Sequence, residues 1–236
     1  MARAAHWTRI ETPIGFLGIV AWPDVLAAIL FEHEIAARDE TIGRRIGIAE
    51  WLAESTLTRE TGRQLVEYFA GNRTTFDLPI VPEGTPFDRS VWQRVSRIPF
   101  GQTRTYLDVA RDIDRPASSR AVGQANGRNP LPIVIPCHRV VGSSGDDRGY
   151  AGGVATKRYL LAHEGAIPPA GGSWLDWGAR LAARDAATRI GPRGTHIYCR
   201  PTCRYTSRIR RVPALFENAA AARLAGFRAC RVCDPG

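Results

Sequence analysis

The sequence predicts an α+β protein made of more than one small unit, and three observations carry that reading. Turn-bounded apolar runs crowd toward the N-terminus, helical spacing takes over from Thr58 onward, and the last 48 residues form a basic tail that holds four of the five cysteines. A chain of 236 residues has room for a sizeable core or for two to three small units.

From His6 to Glu32 the chain reads as strands, with turns at Thr12-Pro13-Ile14-Gly15 and Trp22-Pro23-Asp24. A polar, charged stretch follows. Thr58 to Phe69 has helical spacing, with Leu65, Tyr68 and Phe69 on one side and Gly71 as the stop. This first unit, residues 1–82, closes near Pro82. Phe87 to Ile98 is a second helix whose stripe is Phe87, Val91, Val95 and Ile98, ended by Pro99-Phe100-Gly101. Tyr106 to Ile113 is a short helix, Asp114-Arg115-Pro116 a turn, and Ser118 a cap for a further helix with Ala121, Val122 and Ala125 inside and Gly127 at its end. Helix, short turn, helix is the geometry of a DNA reader, and Arg120 lies in the first turn of its second helix. Ile133 to Ile135 is a buried apolar segment, Ser143 to Gly153 a glycine-rich loop, and Ala155 to His163 a helix stopped by Gly165. These residues, 83–168, form the second unit. Residues 169–188 read as a linker, Pro168-Pro169-Ala170-Gly171-Gly172 followed by a helical stretch from Trp174 to Ala187, and residues 189–236 as a third unit.

Composition excludes several classes. No apolar run approaches the ~18 residues of a membrane span, and Met1 to Trp7 holds no apolar signal segment. The expected compartment is the cytoplasm, so the five cysteines are expected to be thiols or metal ligands rather than disulfides. The net charge is +9, and the tail from Arg189 on holds ten arginines against Glu217 and Asp234. Such a tail suits phosphates, nucleic acid above all; the plainer alternative is a solvated, solubilising tail. Lys157 is the only lysine, in a chain whose other 31 basic residues are arginine. That background suggests a position needing a compact ammonium with a mobile proton.

Cys137 stands apart from the other cysteines, in Ile135-Pro136-Cys137-His138-Arg139-Val140. A lone cysteine beside a histidine is a candidate nucleophile, because the thiolate is the reactive form and a nearby base supplies it. Cys199-x3-Cys203 and Cys230-x2-Cys233 make a four-thiolate set with spacings suited to tetrahedral Zn2+, in a unit too small to fold on its core alone. A redox Cys-x-x-Cys would leave one pair unexplained.

Residues 85–166 resemble the O6-alkylguanine-DNA alkyltransferase family. The resemblance rests on Gly127-Arg128-Asn129-Pro130-Leu131-Pro132-Ile133-Val134-Ile135-Pro136-Cys137-His138-Arg139-Val140-Val141, then Gly149-Tyr150-Ala151-Gly152-Gly153, then Leu160-Leu161-Ala162-His163-Glu164-Gly165. Glu11-Thr12-Pro13-Ile14-Gly15 and Tyr68-Phe69-Ala70-Gly71 resemble the family's first domain more loosely. The resemblance implies a ribonuclease-H-like N-terminal domain and a helical, winged helix-turn-helix catalytic domain. It implies that Cys137 takes an alkyl group from O6 of guanine in double-stranded DNA, and from O4-alkylthymine, once per molecule and with no cofactor. His138 is the implied base, acting through a water, with Glu164 orienting it and Asn129 holding the turn and the water. Tyr106 and Lys157 are implied to serve the leaving base. Arg120 is implied to fill the stack vacated by the extruded nucleotide, with the helix from Ser118 in the minor groove. Tyr150, Ala151, Gly152 and Gly153 would wall the pocket, Pro132 would face the alkyl group, and Arg148 would sit near the mouth. A monomer is expected.

The tail stretches Thr195 to Cys203 and Ala225 to Cys233 resemble the zinc domain of the Ada methylation-response proteins. This implies Zn2+ on Cys199, Cys203, Cys230 and Cys233, backbone contacts from the surrounding arginines, and Cys199 as an acceptor of methyl groups from phosphotriesters. The plainer reading is a structural zinc knot that adds DNA affinity. The chain departs from the Ada pattern in placing this domain at its C-terminal end, in carrying His196 where glycine is usual, and in placing Thr188-Arg189-Ile190-Gly191-Pro192-Arg193 where a β-strand is usual. Two other readings are a lesion-sensing alkyltransferase-like protein, against which Cys137 argues, and a transcription regulator, which only the tail's resemblance supports.

Overall fold

The N-terminal sheet joins a strand of uneven burial, Arg3–Thr12, to two that are buried along most of their length, Gly15–Ala21 and Leu26–Phe31. The computed structural model describes residues 3–37 and 43–236. The polar stretch expected after Glu32 therefore falls partly outside the described residues. Two units are distinguished, Met1–Trp92 with Arg128–Ile135, and Gln93–Gly127 with Pro136–Gly236.

In the first unit, β1 (Arg3–Thr12), β2 (Gly15–Ala21), β3 (Leu26–Phe31) and β4 (Ile48–Leu52) form a sheet in the order β3-β2-β1-β4. β1 is antiparallel to β2 and parallel to β4. Two short helical turns, α1 (Glu32–Ile35) and α2 (Arg44–Ile46), lie in the connection between β3 and β4. The helix expected from Thr58 begins slightly earlier, as α3 (Thr56–Phe69), because Ser55 and Thr58 cap it reciprocally, each side-chain oxygen accepting the other's backbone N–H at 3.3 and 2.9 Å. Its buried face includes Leu65 and Tyr68, and it packs on β1 and β2. Phe69 is only half-buried. Residues 128–135 pack with this unit as well. The Pro130 carbonyl accepts the Ile29 N–H at 2.9 Å, which ties residues 128–135 to β3, and the Arg128 guanidinium pairs with buried Asp88 at 2.6 Å.

α4 (Pro86–Val95) carries the chain from the first unit into the second. In the second unit, the two-residue strands β5 (Arg104–Thr105) and β6 (Val140–Val141) pair in parallel. Thr105 and Asp108 cap α5 (Tyr106–Asp112) reciprocally at 3.0 and 2.8 Å. A 3-10 turn at Pro116–Ser118 leads into α6 (Ser119–Gly127), which packs back on α5 through Val122 and Ala125. α7 (Gly153–His163) follows the glycine-rich loop.

The stretch read as a linker contains α8 (Trp174–Arg184), and Trp177 is buried among Ile190, Cys199, Cys203, Ile209 and Cys230. α8 thus packs with the tail, because its Trp177 indole is buried in the tail's own core and Trp174 and Leu181 lie against it. The tail forms β7 (Arg189–Gly191) against β9 (Ala214–Phe216), and β8 (Ile197–Tyr198) against β10 (Arg228–Ala229), with α9 (Ala219–Leu224) between β9 and β10. A strand is therefore present at Arg189–Gly191, where the sequence suggested a replacement; Ile190 also exchanges both backbone bonds with Cys199 at 3.0 and 2.8 Å. Among the described residues no helix is long and apolar enough to cross a membrane.

Candidate functional site

Cys137 opens a single 3-10 turn, Cys137–Arg139, entered through Pro136 and closed by the Arg139 N–H donating to the Pro136 carbonyl at 2.9 Å. All three residues of the turn are buried. From α6, the Asn126 side-chain amide donates to the Cys137 carbonyl at 3.1 Å. β6 begins directly after the turn, so the Cys137 main chain is fixed by the β5–β6 pairing on one side and by Asn126 on the other.

His138 is fully buried, and its Nε2 lies 2.8 Å from Oε1 of Glu164, which caps the C-terminal end of α7. Burial pushes the imidazole's pKa down, with Arg139 and Lys157 adding to the shift and Glu164 opposing it. The ring is therefore neutral near pH 7. An ionised carboxylate only accepts, so the His138 proton sits on Nε2 and the lone pair on Nδ1. That Nδ1 has no hydrogen-bond partner among the described residues. For Glu164, burial alone would raise the pKa, but His138 and Arg139 override it and hold the carboxyl well below its usual range. Arg139 grips the carboxylate with two bonds, Nε to Oε2 at 2.8 Å and Nη2 to Oε1 at 2.9 Å.

Lys157 is also buried, with Nζ donating to the Val140 carbonyl at 2.6 Å. Burial lowers its pKa to about 8, against the attraction of Cys137, Asp147 and Asp146. Tyr106, at the start of α5, is half-buried. Burial first, then Cys137 and Asp146, push its hydroxyl above the ordinary phenol range, so it keeps its proton. The Tyr150 ring stands edge-on to His138, with centroids 6.5 Å apart. Ala151 is exposed, and Gly152 and Gly153 form the start of α7. Arg148 is exposed and paired with Asp146 at 2.6 Å, so its charge is balanced locally. Arg120 is exposed in the first turn of α6.

In the first unit, Asn129 braces the turn that precedes Pro136. Its Oδ1 accepts the Leu131 N–H at 3.0 Å and its Nδ2 donates to the Ile135 carbonyl at 2.8 Å. The brace encloses Ile133, which has φ of 74°, a conformation a β-branched residue resists. Pro132 is buried in the same turn.

The structure thus brings Cys137, His138, Glu164, Lys157 and Tyr106 together. It adds Arg139 and Asn126, to which sequence reasoning gave no role. A signal existed for each: an arginine inside the apolar run from Ile133 to Val141 needs a buried partner, and an asparagine beside Ala125 on a helix's inner face needs one too.

The second cluster lies in the tail. The sulfurs of Cys199, Cys203, Cys230 and Cys233 all lie within 4.8 Å of one another. Four thiolates tetrahedral about Zn2+ at ~2.3 Å would sit about 3.8 Å apart, so the set fits that ion with a small contraction. The Val232 N–H points at the Cys230 sulfur at 3.5 Å, a bond that favours a thiolate. Burial, and then the neighbouring thiols of Cys230, Cys203 and Cys233, push the Cys199 thiol far up. A cavity of about 450 Å3 reaches Cys199 and Cys230 and is lined by Ile190, Tyr205, Arg208 and Arg231 among others.

Three family models match the chain: the 6-O-methylguanine DNA methyltransferase ribonuclease-like domain over residues 5–82, its DNA binding domain over 86–166, and the metal binding domain of Ada over 175–236. The methylated-DNA–protein-cysteine methyltransferase of Methanosarcina barkeri is 50% identical, over 67% of this chain and 96% of its own length. The constitutive enzyme of that name from Bacillus subtilis is 42% identical, over 66% and 93%. The crystal structure of Mycobacterium tuberculosis OGT in complex with DNA is similar with a TM-score of 0.61 and 38% identity, covering 70% of this chain and 96% of that one.

Proposed function

Since the chain belongs to the methylated-DNA–protein-cysteine methyltransferase family, we propose that it repairs double-stranded DNA by taking alkyl groups from O6 of guanine, and from O4 of thymine, onto Cys137. The observation that carries this reading is the buried His138, which Glu164 holds through Nε2 so that only Nδ1 is left as a base beside the cysteine.

Nδ1 of His138 takes the thiol proton, through a water. The thiolate attacks the alkyl carbon, the S–C bond forms as the C–O6 bond breaks, and the electron pair leaves with guanine. Tyr106, which keeps its proton, supplies it to the departing base, and the histidine is the source that restores the balance. Lys157 keeps a positive charge near the sulfur at neutral pH, which favours the thiolate. The thioether does not reopen, so each molecule turns over once. The alkyl carbon is inaccessible inside a duplex, so the nucleotide is extruded, at an unstacking cost of a few kcal/mol. α5, its turn and α6 read the DNA, with exposed Arg120 filling the vacated stack. Tyr150 to Gly153 wall the pocket, and Pro132 faces the alkyl group. Asn129 fixes the turn before the nucleophile.

Cys199, Cys203, Cys230 and Cys233 hold Zn2+, which supplies a fourfold anchor for the tail. The arginines around them meet the DNA backbone. Cys199, with the cavity beside it, is a second acceptor for phosphotriester methyl groups. One experiment tests both acceptors: a duplex carrying one O6-methylguanine and one methylphosphotriester, followed by peptide mass mapping. The wild type gains a methyl on the Cys137 peptide and one on the Cys199 peptide. Cys137→Ala retains only the second; if it still clears O6-methylguanine at the wild-type rate, the assignment fails. An unmodified Cys199 peptide leaves the tail a structural zinc knot.

A further inference from the structure

The tail is fastened to the segments that carry the Cys137 centre. Trp177 packs on Cys199, Cys203 and Cys230, while its indole N–H donates to the Gly165 carbonyl at 3.0 Å. Gly165 directly follows Glu164. One side chain thus joins the four-cysteine cluster to the main chain next to the carboxylate that orients His138. A second fastening lies at the loop before Tyr150. The Val212 N–H donates to the Gly145 carbonyl at 3.1 Å, and Arg211 donates to the Ser144 hydroxyl at 2.7 Å. A Cβ on Gly145 would collide with the Val212 carbonyl, so the approach leaves no slack. Val212 is also buried with Val141, Leu161, Ala166 and Ile167, residues of β6, of α7 and of the turn after it. A third fastening holds the residues before β5: Arg193 donates to the Thr103 carbonyl and hydroxyl at 3.1 and 2.9 Å.

We propose that Trp177 is a positioning residue for alkyl transfer, and that the assembled four-cysteine cluster sets the geometry of the Cys137 centre through Trp177 and through the Val212–Gly145 contact. This rests on Cys137 being the acceptor. The cluster's thiolates are gathered only when a cation balances them. With the cluster open, Trp177 loses its seat, and the chain at Glu164-Gly165 and the loop at residues 143–149 lose their supports. The order of His138 and of the pocket wall then falls with them.

The test uses the full chain. Saturation kinetics with O6-methylguanine duplex separate the maximal alkylation rate from DNA affinity, and amide hydrogen exchange reports residues 143–153 and 164–167 independently of activity. Trp177→Phe keeps an aromatic ring but removes the N–H donor. It is expected to lower the maximal rate about tenfold, the equivalent of one hydrogen bond, with DNA affinity changed less than about twofold. Chelator treatment of the wild type is expected to speed exchange in both segments. Arg211→Ala, at an exposed residue, is expected to speed exchange in residues 143–153 alone, which keeps the test open if Trp177→Phe fails to fold. A wild-type maximal rate in Trp177→Phe, or unchanged exchange after chelation, overturns the proposal. Alkylation found on a cysteine other than Cys137 in the wild type overturns the functional reading instead.

Discussion

Glu164 is held by more than its bond to His138. It accepts from His138 once and from Arg139 twice, in a site shielded from water. In the unfolded chain it titrates near 4.5, and in the folded protein well below that. The folded state therefore binds this proton less readily. The stability it contributes is present above about pH 4.5 and is lost as pH falls through the folded value. Glu164→Gln leaves Arg139 buried with a neutral partner, so it should cost on the order of 3 kcal/mol at pH 7. Its stability should also fall less steeply than the wild type's between pH 5 and pH 3, a window that follows from this linkage. Denaturant midpoints of both proteins across that window check this, and parallel curves would remove Glu164 as a source of the acid sensitivity. The His138–Glu164 pairing was legible because both residues lie in compact motifs. The clamp from Arg139 was not, since nothing local says which carboxylate, 25 residues on, a buried arginine will find.

Among the elements, α8 shows best how a close approach fixes a module. It begins at Ser173, whose hydroxyl accepts the Leu175 and Asp176 N–H groups at 3.2 and 3.3 Å, and it buries Trp177 and Gly178. A Cβ on Gly178 would collide with the Pro201 carbonyl, inside the loop between Cys199 and Cys203. No flexible side chain can yield there, because the obstacle is backbone. Gly178→Ala is expected to push α8 off the cysteine loop at a cost of about 1–3 kcal/mol. Once loaded with Zn2+, the variant should then release the ion to a competing chelator sooner than the wild type loaded in the same way, as followed by a colorimetric indicator. Equal transfer rates would show that the helix does not support the cluster. The helices of the DNA-binding region were readable from apolar spacing and stop signals. α8 was visible as a helix, yet a Pro-Gly-Gly run ahead of it suggested a linker, and only Trp177's burial assigns it to the tail. The strands β7, β8, β9 and β10 have two or three residues each, too short for an alternating pattern to register. β4 escaped for a different reason: it is a mixed-burial strand at the edge of its sheet, paired in parallel with β1.

At the scale of the molecule, charge is distributed as unevenly as chemistry. Ten of the arginines follow Thr188, while the acidic residues fall almost entirely before it. Many of the tail's arginines are exposed, and Arg204 and Arg208 lie against Tyr205 at 5.3 and 4.8 Å from its ring centre, which presents two cations and an aromatic face together. The fastenings at Gly145, Thr103 and Gly165 hold this surface to the same unit that carries α6 and Arg120. A duplex engaged by α6 would then meet the tail in a set register rather than through a loose tether. Each phosphate neutralised contributes roughly 0.9 to the slope of log affinity against log salt on duplex DNA. Arg204→Gln with Arg208→Gln should therefore flatten that slope by about 2 if both side chains contact phosphates of the same duplex. The change should be alike for lesioned and undamaged DNA, because phosphate contacts position a protein without reading bases. An unaltered slope with folded protein would mean that the two arginines face solvent in the complex, and that the charge of the tail serves solubility rather than DNA binding.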